Sequence, residues 1–168
     1  MIVVSDTSPI HALNHLGLLH LLKEQYGRNL VPNAVASELL DPRARLAPLD
    51  VRGLDYVDVM PSGSLDRVRA LGLRLDSGES EALTLVLEVG AETVLVDEVV
   101  GRAAARRLGL SPLGVIGVLV EAKQDGLIES VGPLIDRLKD EIKFFVSDAL
   151  RVEALRLAGE PEGGPDRE

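Results

Sequence analysis

The chain has 168 residues, 46% of them hydrophobic and 27% charged, which argues against a disordered protein and leaves little room for two separate domains. A formal net charge of −9 argues against a broad, sequence-indifferent nucleic-acid surface, and a complement of only two Tyr and two Phe argues against a base-stacking platform. Cysteine is absent, which removes disulfides and thiolate metal sites. No apolar run approaches membrane-spanning length, and no basic segment leads a hydrophobic stretch at the N-terminus. Neither anchor nor signal peptide is therefore expected, and a cytoplasmic location is.

"IVV" (Ile2 to Val4) reads as a short buried strand, and a helix follows from about Pro9 to Leu22 with Ser8 as its cap and Pro9 in its first turn. "NLVP" reads as a second strand, "NAVASELL" as a helix ending near Pro42, and "YVDVMP" as an alternating strand. "SLDRVRALG" is a helix stopped by Gly72. "SGESEALTLVLEVG" is another, capped by Ser77 and terminated by Gly90. "TVLVD" is a strong buried strand, "VVGRAAARRLG" a helix, and "LSPLG" a short strand or turn. Three helices close the pattern, in "VIGVLVEAKQDG", "VGPLIDRLKDEI" and "SDALRVEALRLAG"; the apolar faces of the first and last serve packing or association. The tail, residues 159–168, holds four acids against one arginine and is expected to be disordered. Alternating strands and helices without a linker or repeat predict one α/β domain over residues 1–158, built on a mostly parallel sheet.

In such a sheet, ligands collect at the carboxyl ends of the strands. Asp6 follows "IVVS" and Asp97 follows "TVLV", so two carboxylates emerge on the same sheet edge. Glu38 borders the buried stripe of its helix, about 40° around from Ala34. Glu79 and Glu81 both project from the start of the helix in "DSGESEAL". Each acid alone has an ordinary explanation: Asp6 and Asp97 as turn residues, Glu38 as an exposed helix residue, Glu79 and Glu81 as favourable first-turn charges. Together they form an oxygen-only donor set suited to Mg²⁺ or Mn²⁺.

The motifs "SDTSP", "GESEAL", "LVDEVVGRAAARRLGL" and "GVIGVLVEAKQDGLI" make the chain resemble PIN-domain proteins, in detail the VapC-like branch. The similarity runs from about Val3 to "VSDAL" at Val146 to Leu150. The resemblance implies a PIN-like fold, a central mostly parallel sheet flanked by helices, and a Mg²⁺- or Mn²⁺-dependent endoribonuclease. Many bacterial and archaeal relatives are toxins of toxin–antitoxin pairs, so it also implies an RNA substrate, a cognate antitoxin and a homodimer. The first acid of the family carries over to Asp6, the second to Glu38 and the last to Asp97. The third is Glu79 when counted back from Gly90 and Glu81 by its "EAL" context; both stay open. Glu98 stands where relatives often carry a second Asp. The implied reaction is in-line attack of water on a phosphodiester, with carboxylates holding one or two divalent ions. Thr7 or Ser8 is a candidate to orient a metal-bound water. Arg102, with Arg106 at the next helical step, is a candidate phosphate contact.

Other readings compete. His11 and His15 stand four apart on a helix, as in zinc proteases, but "HALNH" lacks the Glu that would follow the first His, and flanking leucines favour packing. An aspartyl-nucleophile phosphotransfer enzyme would place Asp6 similarly, yet Ser8 stands where a second Asp would be needed. A PIN-like scaffold with weak or no nuclease activity is the third alternative.

Overall fold

The computed structural model describes residues 1–162, and the remainder of the expected disordered tail lies outside the described residues. The chain divides into two compact units, residues 1–115 and 116–168.

The first unit contains a five-stranded, all-parallel sheet in the order β3-β2-β1-β4-β5, formed by β1 (Ile2–Ser5), β2 (Arg28–Pro32), β3 (Val57–Met60), β4 (Thr93–Leu95) and β5 (Ser111–Leu113). Every neighbouring pair is parallel, with Val4 opposite Leu30 on one side and Val94 on the other. Parallel strands require crossovers, and helices supply them: α1 (Thr7–His15), α2 (Leu21–Tyr26), α3 (Asn33–Leu40), α4 (Asp66–Arg69), α5 (Ser77–Val89) and α6 (Val99–Arg107). Strand order reverses direction between β1 and β4, and the carboxyl ends of these two strands are the place where open α/β sheets bind ligands. The α/β PIN-like fold expected from the sequence is the fold observed.

The central strands β1 and β4 are buried. Val4, Val94 and Val96 pack with Leu83, Val86 and Ala104 from α5 and α6 in one continuous cluster. Continuous apolar runs, without polar alternation, are what a doubly covered parallel strand requires.

Three local expectations are corrected. The single helix expected from Pro9 to Leu22 is two helices, because Gly17 takes φ +71° and the Leu18 N–H turns back to the Leu13 carbonyl at 2.8 Å. Its cap position belongs to Asp6 rather than Ser8, which lies inside the first turn of α1. At α5 the cap is Asp76 rather than Ser77. The Asp76 carboxylate accepts from the Glu79 N–H at 2.7 Å, and the Glu79 carboxylate accepts from the Asp76 N–H at 3.1 Å, a reciprocal capping box.

The second unit holds most of α7 (Val115–Gln124) together with α8 (Gly132–Ile142) and α9 (Asp148–Ala158). Helices α8 and α9 approach closely: a Cβ on Gly132 would lie 3.1 Å from Leu155 Cδ2. Arg151 donates twice to Asp136 at 3.0 and 3.1 Å, tying the two helices at their polar edge. Glu160, inside the expected tail, accepts from the backbone N–H groups of Val131 and Gly132 where α8 starts. Phe145, Leu150, Val152 and Leu157 are exposed. Among the described residues no helix is long and apolar enough to cross a membrane.

Candidate functional site

Val3 and Val4 are wholly buried, and this drives β1 into the middle of the sheet and carries Asp6 to its carboxyl end. The Asp6 N–H donates to the Leu95 carbonyl at 2.9 Å, which locks the residue against the end of β4. Although Asp6 occupies the cap position of α1, its side chain does not cap the helix. Its Oδ1 is buried without a hydrogen-bond partner. Burial pushes the Asp6 carboxyl up to about 8; the Thr7 backbone N–H opposes this, and the negative charges of Asp76, Glu79 and Glu38 reinforce it.

Glu38 reaches the same place from α3. The Thr7 hydroxyl donates to Glu38 Oε2 at 2.6 Å, so Thr7 orients a carboxylate. The meeting point is Gly78 in the first turn of α5. A Cβ there would stand 2.9 Å from Asp6 Oδ1 and 2.9 Å from Glu38 Oε1, which only a glycine avoids. Asp6 and Glu38 therefore face each other across a helix turn that lacks a side chain.

The two glutamates of α5 separate in space. Glu79 is buried, and its Oε1 lies 3.3 Å from the position of a Cβ on Gly101. Burial raises its carboxyl, the Asp76 backbone N–H counters this, and the charges of Asp76, Glu98 and Glu38 add to the rise. Glu81 instead accepts from the Ala34 N–H and the Ser62 hydroxyl, each at 2.9 Å, and so clamps the start of α3 to the loop after β3. Glu79 shares the field of Asp6 and Glu38, whereas both oxygens of Glu81 are committed elsewhere.

Asp97 lies two residues past β4. Its Oδ1 accepts from the Val115 N–H at 2.9 Å, while its Oδ2 is buried without a partner. Burial raises the carboxyl to about 6; the Val115 N–H and the Arg102 guanidinium pull it down, and Glu98 pushes it up. Gly114 makes room for this pair: its absent Cβ would lie 2.7 Å from Asp97 Oδ1 and 2.8 Å from Arg102 Nη1. Arg102 thus sits beside Asp97, and Arg106 is exposed on the same helix. Ser8 lies in the first turn of α1, partly exposed.

The donor set is entirely carboxylate oxygen. Two of those oxygens are buried with nothing to satisfy them, and the acids repel one another. Buried, unpaired acceptors in a shared negative field are the chemistry that a hard divalent cation satisfies, so the residues fit such an ion. Among the described residues, no three His, Asp or Glu side chains are already gathered into a metal shell. The acids stand instead as Asp6 with Glu38 at Gly78, Glu79 at Gly101, and Asp97 at Gly114.

A family profile described as a PIN domain matches residues 2–160. The chain belongs to the PIN-domain family. PIN domains are in general nucleases, and in general they use divalent metal ions. No curated protein matches the chain. The PIN-domain match spans both compact units.

Two features of this PIN domain escape the sequence reading. Asp76 contributes charge to both Asp6 and Glu79, and the "DSGE" spacing of a capping box was its available signal. Gly78, Gly101 and Gly114 form the cradles beside the acids, and no local pattern marks them, because the atoms they accommodate come from distant segments.

Proposed function

We propose that this PIN domain is a metal-dependent endoribonuclease and the toxin of a toxin–antitoxin pair. The observation that carries the nuclease reading is the pair of unsatisfied buried carboxylate oxygens, Asp6 Oδ1 and Asp97 Oδ2, at the ends of the adjacent parallel strands β1 and β4. Asp6, Glu38, Glu79 and Asp97 would hold the Mg²⁺ or Mn²⁺; Glu81 supports the scaffold. A divalent ion supplies Lewis acidity that polarises an attacking water and offsets charge on the phosphate and the leaving oxygen. Thr7 holds Glu38 in one orientation, and Gly78 keeps the space between Glu38 and Asp6 open. Arg102, beside Asp97, would meet a phosphate at that end of the site. An acidic chain binds RNA here only when cations neutralise the crevice, so substrate binding is ion-linked.

The test pairs Mn²⁺ calorimetry with cleavage of structured RNAs, on wild type and Asp6→Asn, with and without EDTA. Wild type binds Mn²⁺ and cleaves, while Asp6→Asn loses both. Binding of Mn²⁺ by wild type with no cleavage of any RNA would sink the nuclease reading and leave a PIN-like scaffold. The toxin role rests on the sequence resemblance. Induced expression arrests growth, Asp97→Asn abolishes the arrest, and co-expression of the product of an adjoining antitoxin-like gene relieves it; normal growth under expression of active enzyme refutes that role. A homodimer is expected by light scattering.

A further inference from the structure

Helix α6 leads away from the acids: Asp97 and Glu98 stand immediately before it, and Arg102 of its second turn sits beside Asp97. It carries Arg102, Arg106 and Arg107 and no Asp or Glu. Among the described residues, every other α-helix that has an Arg or Lys also has an acid. Gly101, Ala104 and Ala105 face the core, so the three arginines stand on the remaining arc of the helix, with uncharged Val99 and Ala103 between them. A chain of net charge −9 thus presents one strip of positive charge that starts at the acid site.

Nothing in the protein pairs with this strip. Arg28, Arg151 and Arg156 hold carboxylates at 2.7, 3.0 and 2.6 Å, whereas no α6 arginine makes an ion pair among the described residues. The acids of neighbouring α5 are engaged elsewhere. Glu79 accepts from the Asp76 N–H on the buried side of α6, Glu81 from the Ala34 N–H and the Ser62 hydroxyl, and Glu88 from the Gly63 N–H. Strand β5, packed on the same helix, has no acid. Glu98 lies about 12 Å along the axis from Arg106, farther than the Debye length of about 8 Å at physiological salt. Glu92, before β4, ion-pairs with none of the three arginines. The helix does not use the arginines as caps either, because the Ala104, Ala105 and Arg106 carbonyls accept from the N–H groups of Leu108, Leu110 and Gly109.

All three positions are arginine, whose planar fork matches phosphate in two-bond geometry. Arg102 and Arg106 are offset by about 6 Å along the axis, comparable with the step between successive phosphates of an extended strand. A carboxylate-rich protein would meet the same charges, but the strip begins at the acids, and a phosphodiester strand has reason to lie on both. Asp6 and Glu79 are buried, so a flexible single strand reaches them more readily than a stiff duplex.

We propose that this face of α6 is the track on which single-stranded RNA leaves the acid site, with Arg106 and Arg107 holding phosphates beyond the one at Arg102. The assignment rests on the nuclease reading for where the cut falls, but the phosphate contacts are independent of cleavage.

The experiment uses the full chain and two fluorescein-labelled single-stranded RNAs of mixed sequence, one short enough to end near Arg102 and one long. Their Kd is taken by fluorescence polarisation in Mn²⁺ at several salt concentrations, before cleavage proceeds, and cleavage is followed separately under single turnover. The double variant Arg106→Ala, Arg107→Ala raises the Kd of the long RNA about tenfold or more and lowers its salt slope by about 1.4, two contacts at about 0.7 each. Its Kd for the short RNA stays within about twofold of wild type. Lysine at both positions restores the salt slope and only part of the affinity. Arg28→Ala, at the amino end of β2 and so at the opposite end of the sheet from the acids, is the control for general charge and changes Kd less than about twofold. Unchanged Mn²⁺ affinity in calorimetry reports that each variant is folded. A cleaving wild type whose long-RNA Kd and salt slope persist in the double variant overturns the track, leaves the nuclease reading intact and turns the face over to an acidic protein. An equal loss in Arg28→Ala also overturns the track. RNA binding that depends on Arg106 and Arg107 without any cleavage overturns the nuclease reading and keeps the phosphate contacts. A wild type that neither binds nor cleaves RNA overturns both.

Discussion

Replacing Asp6 by Asn makes the ion-free protein more stable at neutral pH, although it deletes a carboxylate at the carboxyl end of the central strand β1. The unfolded chain releases the Asp6 proton near 3.8 and the folded chain near 8, because the buried carboxylate lacks a partner for Oδ1 and faces Asp76, Glu79 and Glu38. Between those values the folded state holds the extra proton, so the Asp6 contribution to stability falls as pH rises from about 4 to about 8 and is constant outside that window. At 1.36 kcal/mol for each tenfold change in proton affinity, the cost at pH 7 has a ceiling of about 4 kcal/mol, and near pH 4.5 of only about 1 kcal/mol. Asn carries no charge and still offers an acceptor to the Thr7 N–H, so this pH-dependent cost disappears in the variant. Urea unfolding in EDTA at pH 4.5 and pH 7 measures both proteins. The expected result is a stability gain for Asp6→Asn that is small at the lower pH and grows by about 2–3 kcal/mol at the higher one. A variant that is less stable than wild type by the same amount at both pH values refutes the argument. That outcome would mean the carboxylate makes contacts worth more than its burial costs.

Excess Mn²⁺ raises the thermal midpoint of wild type, by the equivalent of about 2.7 kcal/mol at a hundredfold excess over Kd, and EDTA reverses it; Asp97→Asn shows no such shift in scanning calorimetry. Glu79→Gln weakens Mn²⁺ binding at least tenfold in calorimetry with little change in urea midpoint, since the amide oxygen still accepts from the Asp76 N–H. Glu81→Gln does the reverse, costing about 1–3 kcal/mol in urea unfolding by turning an amide NH₂ toward the Ala34 N–H or the Ser62 hydroxyl while Mn²⁺ affinity stays the same. Gly78→Ala drives a methyl between Asp6 and Glu38, 2.9 Å from each, so RNA cleavage falls at least a hundredfold even though alanine favours the helix.

The strand–helix order was legible because parallel strands buried on both faces are written as unbroken apolar runs, and "IVV" and "TVLV" carry that signature. Asp6 and Asp97 were legible for the same reason: each stands where such a run stops. The break of the first helix at Gly17 was not, since a single glycine inside an apolar pattern is tolerated in many helices and only the chain's return toward β2 requires the turn. Ser8 and Ser77 looked like caps because serine is a good one, yet an aspartate stands just before each helix and takes the position.

By itself the sequence determined the α/β class and the strand ends that deliver Asp6 and Asp97, because these follow from local periodicity and side-chain chemistry. Only the tertiary structure separated Glu79 from Glu81. The two are neighbours in the same helix turn, and their different surroundings come from Gly101 for one and from Ala34 and Ser62 for the other. It alone placed Gly78 between Asp6 and Glu38. Partners that lie 19 to 72 residues apart along the chain meet through the crossovers of the sheet, and no local pattern encodes that meeting.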